Sequence, residues 1–301
     1  MKTRILLAAT CLAALVCAAR TDAAVRVAAS INDLASIANQ IGGSNVEVFA
    51  IARPTADPHR VEALPSYMVK VSRAQVYLKV GLGLDQWADA IIDGSRNDKV
   101  RIVDCSRGVT VLEKPSGPVD KSMGDVHPDG NPHYWLDPRN GAIVARNVAE
   151  ALSAVDPAHA ADYRARAEAF AKEVDAAYRE NVAVAARLPE KAIFTYHRSW
   201  SYFAAAFGYE VLANVEPVPG IPPTARHLAE LIRIAKSRHV PVMIQEPYFP
   251  AESGRFLQRE AGVRPVMASP SCDTPAAGSY LAHFRKVLAD MTTSPAGGAT
   301  R

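Results

Sequence analysis

Residues 157–188, PAHAADYRARAEAFAKEVDAAYRENVAVAARL, hold no glycine and no proline after the first position, and Ala, Glu, Arg and Lys dominate them. These residue types lose little on entering a helix, and a proline is tolerated at the first turn, where its missing N–H would have no partner anyway. The stretch between Asp156-Pro157 and Leu188-Pro189 is therefore predicted to be one long helix. At about 1.5 Å per residue it matches or exceeds the diameter of a small domain. A helix of that length is read more economically as a strut between two lobes than as one element of a single core.

The chain on both sides of the strut supports that reading. Before it, VRVAAS (25–30), VEVFAI (46–51), AQVYLKVG (74–81) and VRIVDC (100–105) are short β-branched runs, read as buried strands. Between them, INDLASIANQIGG (31–43) and LPSYMVKVSR (64–73) carry apolar residues at helical spacing. After the strut, AIFTY (192–196), YEVLANV (209–215), VPVMIQE (240–246) and VRPVMAS (263–269) alternate with helical segments over 199–207, 224–237, 252–260 and 278–291. Strand-helix alternation predicts α/β lobes with parallel sheets. The expected units are a first lobe over 24–155, the linking helix 156–188, a second lobe over 189–292, and a small-residue tail, 293–301, expected to be disordered.

At the start of the sequence, Lys2 and Arg4 precede an apolar run from Ile5 to Ala19, with a small-residue exit near Thr21-Asp22-Ala23. That is the layout of a secretory signal peptide over residues 1–23. Arg20 closes the run short of the roughly 20 residues a membrane span needs. A lipoprotein anchor at Cys17 is disfavoured by the bulk of Val16. The chain is thus expected to be exported. It has 34 Lys and Arg against 31 Asp and Glu, and Lys2, Arg4, Arg20 and Asp22 leave with the signal, so the remainder is almost neutral. No basic stripe points to nucleic acid. Cys11 and Cys17 leave too, and the remaining pair, Cys105 and Cys272, is either a disulfide or two free thiols.

Chemistry concentrates at strand ends. His59 follows the second strand, His133 follows the fourth and its loop, His197 directly follows the fifth, and Asp273 lies past the last. Ligands of open parallel sheets bind at the carboxyl edge. Neutral imidazole and carboxylate suit a borderline cation such as zinc, held by four ligands. Ligands from four separate loops can meet only if the lobes face one another. His59 and His133 each follow a proline, in Asp57-Pro58-His59 and Asn131-Pro132-His133, so both loops enter with little freedom left to lose.

DPHRVEALPS, GLGLDQW (81–87), HPDGNPHYWLDP (127–138), TYHRSWSYFAAAFGYE (195–210) and QEPYFP (245–250) resemble, in order, the signatures of the cluster A-I family, the periplasmic metal-binding components of ABC importers for zinc and manganese. The resemblance implies two (β/α)4 lobes joined by one long rigid helix with the metal in the cleft between them. It places the ligands on His59, His133, His197 and Asp273. A histidine at the third position resembles the zinc members rather than the manganese ones, where a glutamate stands. The implied function is capture of one Zn2+ per chain and delivery to an inner-membrane permease. A periplasmic zinc chaperone is a further candidate partner, and a monomer is expected.

Many zinc members carry a loop rich in His and acids before the second ligand; here that stretch holds only one histidine, His127, which with Asp125 and Asp129 is a weak accessory acceptor or a solvated turn. Glu62 either orients the His59 ring or is an exposed acid on the next helix. Tyr134, Trp135, Trp200 and Tyr202 are expected to wall the site or form lobe-interface core. His159, His227, His239 and His283 are read as surface residues, and Asp137-Pro138 as a capped helix start. The rivals are manganese transport and, less favoured, a secreted zinc hydrolase with Glu62 or Asp273 as general base. Four protein ligands would leave no position for an activated water, and no HExxH motif is present.

Overall fold

β1 (Val25–Ala29) is buried at four of its five residues, because it runs through the middle of a parallel sheet covered on both faces. The computed structural model describes residues 23–117, 119, 124 and 126–293. The expected export signal lies outside these apart from Ala23, as does the tail from residue 294. The first lobe continues with α1 (Asn32–Gly42), β2 (Val46–Ala50), α2 (Pro65–Val71), β3 (Val76–Lys79), α3 (Trp87–Ser95) and β4 (Arg101–Asp104). Its strands pair in the order β2-β1-β3-β4, all parallel. The second lobe holds β5 (Ala192–Thr195), α6 (Ser201–Phe207), β6 (Glu210–Asn214), α7 (Ala225–Arg238), β7 (Val242–Gln245), α8 (Glu252–Ala261), β8 (Arg264–Met267) and α9 (Ser279–Thr292). Its order, β6-β5-β7-β8, repeats the first, again parallel throughout.

Between the sheets run α4 (Pro138–Val155) and α5 (Ala160–Ala185). α4 starts as expected: the Asp137 side chain accepts from Arg139 N, and Pro138 opens the helix. The predicted strut is α5, with Pro157–His159 forming a separate 3-10 turn ahead of it. Its 26 residues span about 39 Å. It buries one stripe, Tyr163, Ala167, Phe170, Val174, Asn181 and Ala185, at helical spacing. The apolar members of that stripe belong to a hydrophobic cluster reaching from Leu34 and Val76 in the first lobe, through Val148 and Phe170, to Phe203 and Leu288 in the second. The linking helix is therefore part of a core shared by both lobes. α3 is not among the helices expected from the sequence, although Ala88, Ile91, Ile92 and Ser95 bury one face of it.

The second lobe is also fastened to α1 directly. Asn32 Nδ2 donates to Cys272 O (3.0 Å), Ser36 Oγ to Ala276 O (2.7 Å) and Asn39 Nδ2 to Pro275 O (2.7 Å). The possible disulfide is not formed: Cys105 and Cys272 are buried, free thiols. Cys105 sits just past β4, where Asn147 of α4 donates to its carbonyl, whereas Cys272 lies on α1. Burial pushes both thiols well above their ordinary range, so each stays protonated. Among the described residues no helix is long and apolar enough to cross a membrane.

Candidate metal centre

His59 stands on the loop after β2, and one side chain sets its geometry. Asp57 Oδ1 accepts from the His59 backbone N–H (2.9 Å) and lies 2.8 Å from Nδ1 of the same residue. The loop before α4 repeats the device with an amide: Asn131 Oδ1 accepts from His133 N (3.0 Å) and faces His133 Nδ1 (2.9 Å). Pro58 and Pro132, between acceptor and histidine, stiffen both turns. His197 follows β5 directly, and its Nδ1 lies 2.7 Å from Oε2 of Glu216, which follows the neighbouring β6. A carboxylate can only accept, and the Asn131 oxygen is identified by the backbone N–H it already receives. In the neutral form all three imidazoles therefore carry their proton on Nδ1 and keep the Nε2 lone pair for a ligand.

Those nitrogens converge. Ring centroids are 5.1 Å apart for His59 and His133, 5.3 Å for His59 and His197, and 5.7 Å for His133 and His197. One ligand atom from each lies within 4.8 Å of the others, and among the described residues this is the group of acidic, thiol and imidazole side chains so arranged. His133 and His197 are buried. Nε2 of His59 and of His133 are shielded from solvent and take no hydrogen bond, a costly state that a bound cation relieves. Burial and the neighbouring imidazoles hold His133 well below its ordinary value, so it is neutral and ready to ligate. For His197, burial alone would do the same. The Glu216 hydrogen bond and the charge of Glu246 outweigh it and raise the ring above 6.5.

The structure brings together three of the four expected ligands. Asp273 is not among them: its side chain is 65% exposed and its carboxylate accepts from Lys286 Nζ at 2.8 Å. A salt bridge on the surface of α9 holds it out of the cleft. Glu62 is exposed, and the acceptor behind His59 is Asp57 instead. His127 stands beside the group rather than in it, its ring stacked on His59 at 5.4 Å and 23°. The cleft next to His133 and His197 is lined by His127, Glu113, Asn131, Arg198 and Pro219. Asp125, which the sequence set beside His127, lies outside the described residues.

The aromatic residues are wall and interface at once. Trp135 packs 5.3 Å from the His133 ring, and its Nε1 donates to Pro270 O (2.6 Å) of the second lobe. Tyr134 OH donates to Val80 O (2.9 Å), Tyr202 OH to Asn131 O (2.9 Å), and Trp200 Nε1 to Glu246 Oε1 (3.0 Å). His283, read as a surface residue, is buried on α9. Sequence reasoning missed Asp57, Asn131, Glu216 and Glu246. The first two share a visible signal, an Asx residue two places before a proline-preceded histidine. Glu216 and Glu246 directly follow the sixth and seventh strands, on either side of the strand that carries His197. Burial pushes the Glu246 carboxyl up to about 7.

Two lobes of identical sheet order that bring three oriented imidazoles together have the architecture of a two-lobe binding protein. Residues 27–294 match the family described as zinc-uptake complex component A, periplasmic, and the chain belongs to it. That family comprises metal-binding periplasmic components of ABC importers, not enzymes. Similar proteins include the iron-binding protein YfeA of Yersinia pestis, 28% identical over 77% of this chain and 72% of that one. The zinc-binding lipoprotein AdcA of Streptococcus pneumoniae is 23% identical over 99% of this chain and 62% of its own length. A crystal structure of ZnuA superposes with a TM-score of 0.78 at 26% identity, covering 89% of this chain and 98% of that one. FpvC from Pseudomonas aeruginosa, in complex with Mn2+, superposes at 0.74 with 25% identity, covering 89% and 97%. With Asp273 turned away, a closed four-ligand shell no longer argues against hydrolysis. The non-enzymatic reading rests on the family.

Proposed function

We propose that this chain captures Zn2+ outside the cytoplasm through His59, His133 and His197 and hands it to the permease of an ABC importer. One observation carries the reading: one ring nitrogen from each of the three histidines lies within 4.8 Å of the others while each Nδ1 is held from behind by a different acceptor. Ligating histidines need that second hydrogen bond to fix ring orientation and tautomer. Three imidazoles and no carboxylate in the group favour zinc over manganese, which prefers oxygen donors. The fourth position of a tetrahedral ion would be completed from the cleft, where a water molecule suffices. His127, stacked on His59, supports an accessory role during loading, from a periplasmic chaperone or from free metal. Export by residues 1–23 and a monomeric state complete the proposal.

Native mass spectrometry of the metal-loaded protein and chelator-competition titration test it. One zinc per chain is expected, lost in His133→Ala. Manganese held more tightly than zinc would replace the zinc reading with manganese transport. Binding undiminished by His133→Ala would remove the assigned site.

A further inference from the structure

His59 and His197 each have a carboxylate directly behind them, Asp57 and Glu216, while His133 has only the neutral amide of Asn131. The chain supplies the missing charge one step further out. Asn131 Nδ2 donates to Glu113 Oε2 (3.0 Å) and to the carbonyl of Arg198 (2.9 Å), and Glu113 Oε1 accepts from Ser201 Oγ (2.7 Å). Glu113 lies on the long loop after β4, at φ +52°, in the left-handed region that a glutamate adopts only when its surroundings impose it. The surroundings here do so. Leu112 N donates to Tyr202 OH, Tyr202 OH donates to Asn131 O, and Asn131 N donates to Leu112 O, each at 2.9 Å. These bonds close a knot between the lobes with Glu113 at its rim, lining the cleft.

We propose that Glu113 is a positioning residue for metal binding, which acts on His133 through Asn131. The inference rests on His133 being a ligand. A hydrogen bond to an ionised acceptor is stronger than a neutral one, so Glu113 pins and polarises the Asn131 amide. The Asn131 oxygen then holds the His133 Nδ1 proton more firmly, and the Nε2 lone pair is kept in the cleft. Each imidazole thus has one carboxylate behind it, two in direct contact and one relayed through an amide.

The test measures zinc affinity by chelator competition in Glu113→Ala, Glu113→Gln, Asn131→Ala, the Glu113→Ala/Asn131→Ala double variant and Ser201→Ala. The His133 ring 15N signals of the zinc-loaded protein are followed alongside. Loss of an outer hydrogen-bond partner of a metal ligand typically costs about 10- to 100-fold in affinity. Asn131→Ala is expected in that range. Glu113→Ala, one bond further out and on the rim, is expected near its lower end, at roughly tenfold. The double variant should be no weaker than Asn131→Ala alone, because both changes cut the same relay. Glu113→Gln keeps an acceptor for Asn131 and should recover most of the loss. Ser201→Ala removes a donor to Glu113 and a long 3.4 Å contact to Asn131 Nδ2 but keeps the Asn131–Glu113 bond, and should stay within about twofold. The His133 Nδ1–H signal should shift or broaden in Glu113→Ala. Wild-type affinity in Glu113→Ala, losses that multiply in the double variant, or an unaltered His133 signal would each overturn the inference while leaving the site intact. Binding undiminished by His133→Ala would instead remove the functional reading, and this inference with it.

Discussion

At the scale of the residue, an Asx side chain reaching two positions forward fixes the ring and tautomer of a histidine. It does so twice, at Asp57 and Asn131. Asp57→Ala leaves His59 in place but free to turn and change tautomer. We expect zinc affinity to fall roughly 10- to 100-fold with little change in stability, measured by chelator competition and thermal melting. Protons act through His197. Its ring is raised above 6.5 in the metal-free protein, since Glu216 and Glu246 outweigh burial, and a proton there must leave before zinc binds. Affinity should therefore begin to fall with acidification at a higher pH than an ordinary imidazole would dictate. Glu216→Gln should move that onset to lower pH while weakening binding at neutral pH, as a pH series of zinc titrations would show. His133, held well below its ordinary value, adds no such competition. An onset that does not move in Glu216→Gln would refute the assignment. The three histidines were legible because each follows a strand and two follow a proline. Asp273 was misplaced because position along the chain does not say which way a side chain turns, and for the same reason the sequence left Glu62 open between orienting His59 and standing exposed, as it does. Lys286, on the next helix, takes Asp273.

At the scale of the element, hydrophobic period and punctuation read most of the fold correctly. Each of the eight strands falls within a predicted β-branched run, and the long helix is where its composition demands. α3 escaped notice because it is short and follows the glycine-rich turn at 81–83. Less visible is how helices set the ligand loop. Gly141, in the first turns of α4, lies so close to α9 that a Cβ there would sit 2.4 Å from the Tyr280 ring. Tyr280 OH in turn donates to Trp135 O (2.8 Å), two residues past His133. Gly141→Ala should gain slightly in helix propensity but lose more to overpacking, typically 1–3 kcal/mol. A net destabilisation of about 1–2 kcal/mol in urea unfolding is expected, with zinc affinity falling as Tyr280 shifts off the Trp135 carbonyl. A variant as stable as the wild type would mean that Tyr280 moves aside at no cost.

At the scale of the molecule, the twofold plan of β2-β1-β3-β4 and β6-β5-β7-β8 was visible as two rounds of strand-helix alternation. The seam between the lobes was not, because its partners lie some 240 residues apart in sequence. At that seam Asp33 of α1 is buried, and among the described residues no cation forms a salt bridge with it. Its carboxylate accepts from the hydroxyl of Ser271 and from Cys272 N (3.2 Å). Burial wins over these hydrogen bonds and raises its pKa from 3.8 to about 6. The folded state therefore holds this proton more tightly than the unfolded chain does. The stability it contributes is fully present below the unfolded value near 3.8 and is lost as pH rises through about 6. At 1.36 kcal/mol per pKa unit the difference is on the order of 2–3 kcal/mol. Asn at this position cannot ionise, so the unfolding free energy of Asp33→Asn relative to the wild type should rise by about that amount between roughly pH 4 and pH 8. Urea melts must be run with a chelator present, since bound metal would add its own stabilisation and its own pH dependence. A wild-type-to-variant difference that stays constant over that range would show that Asp33 holds its proton no more tightly in the folded protein than in the unfolded chain, and that its burial at the seam does not couple stability to pH.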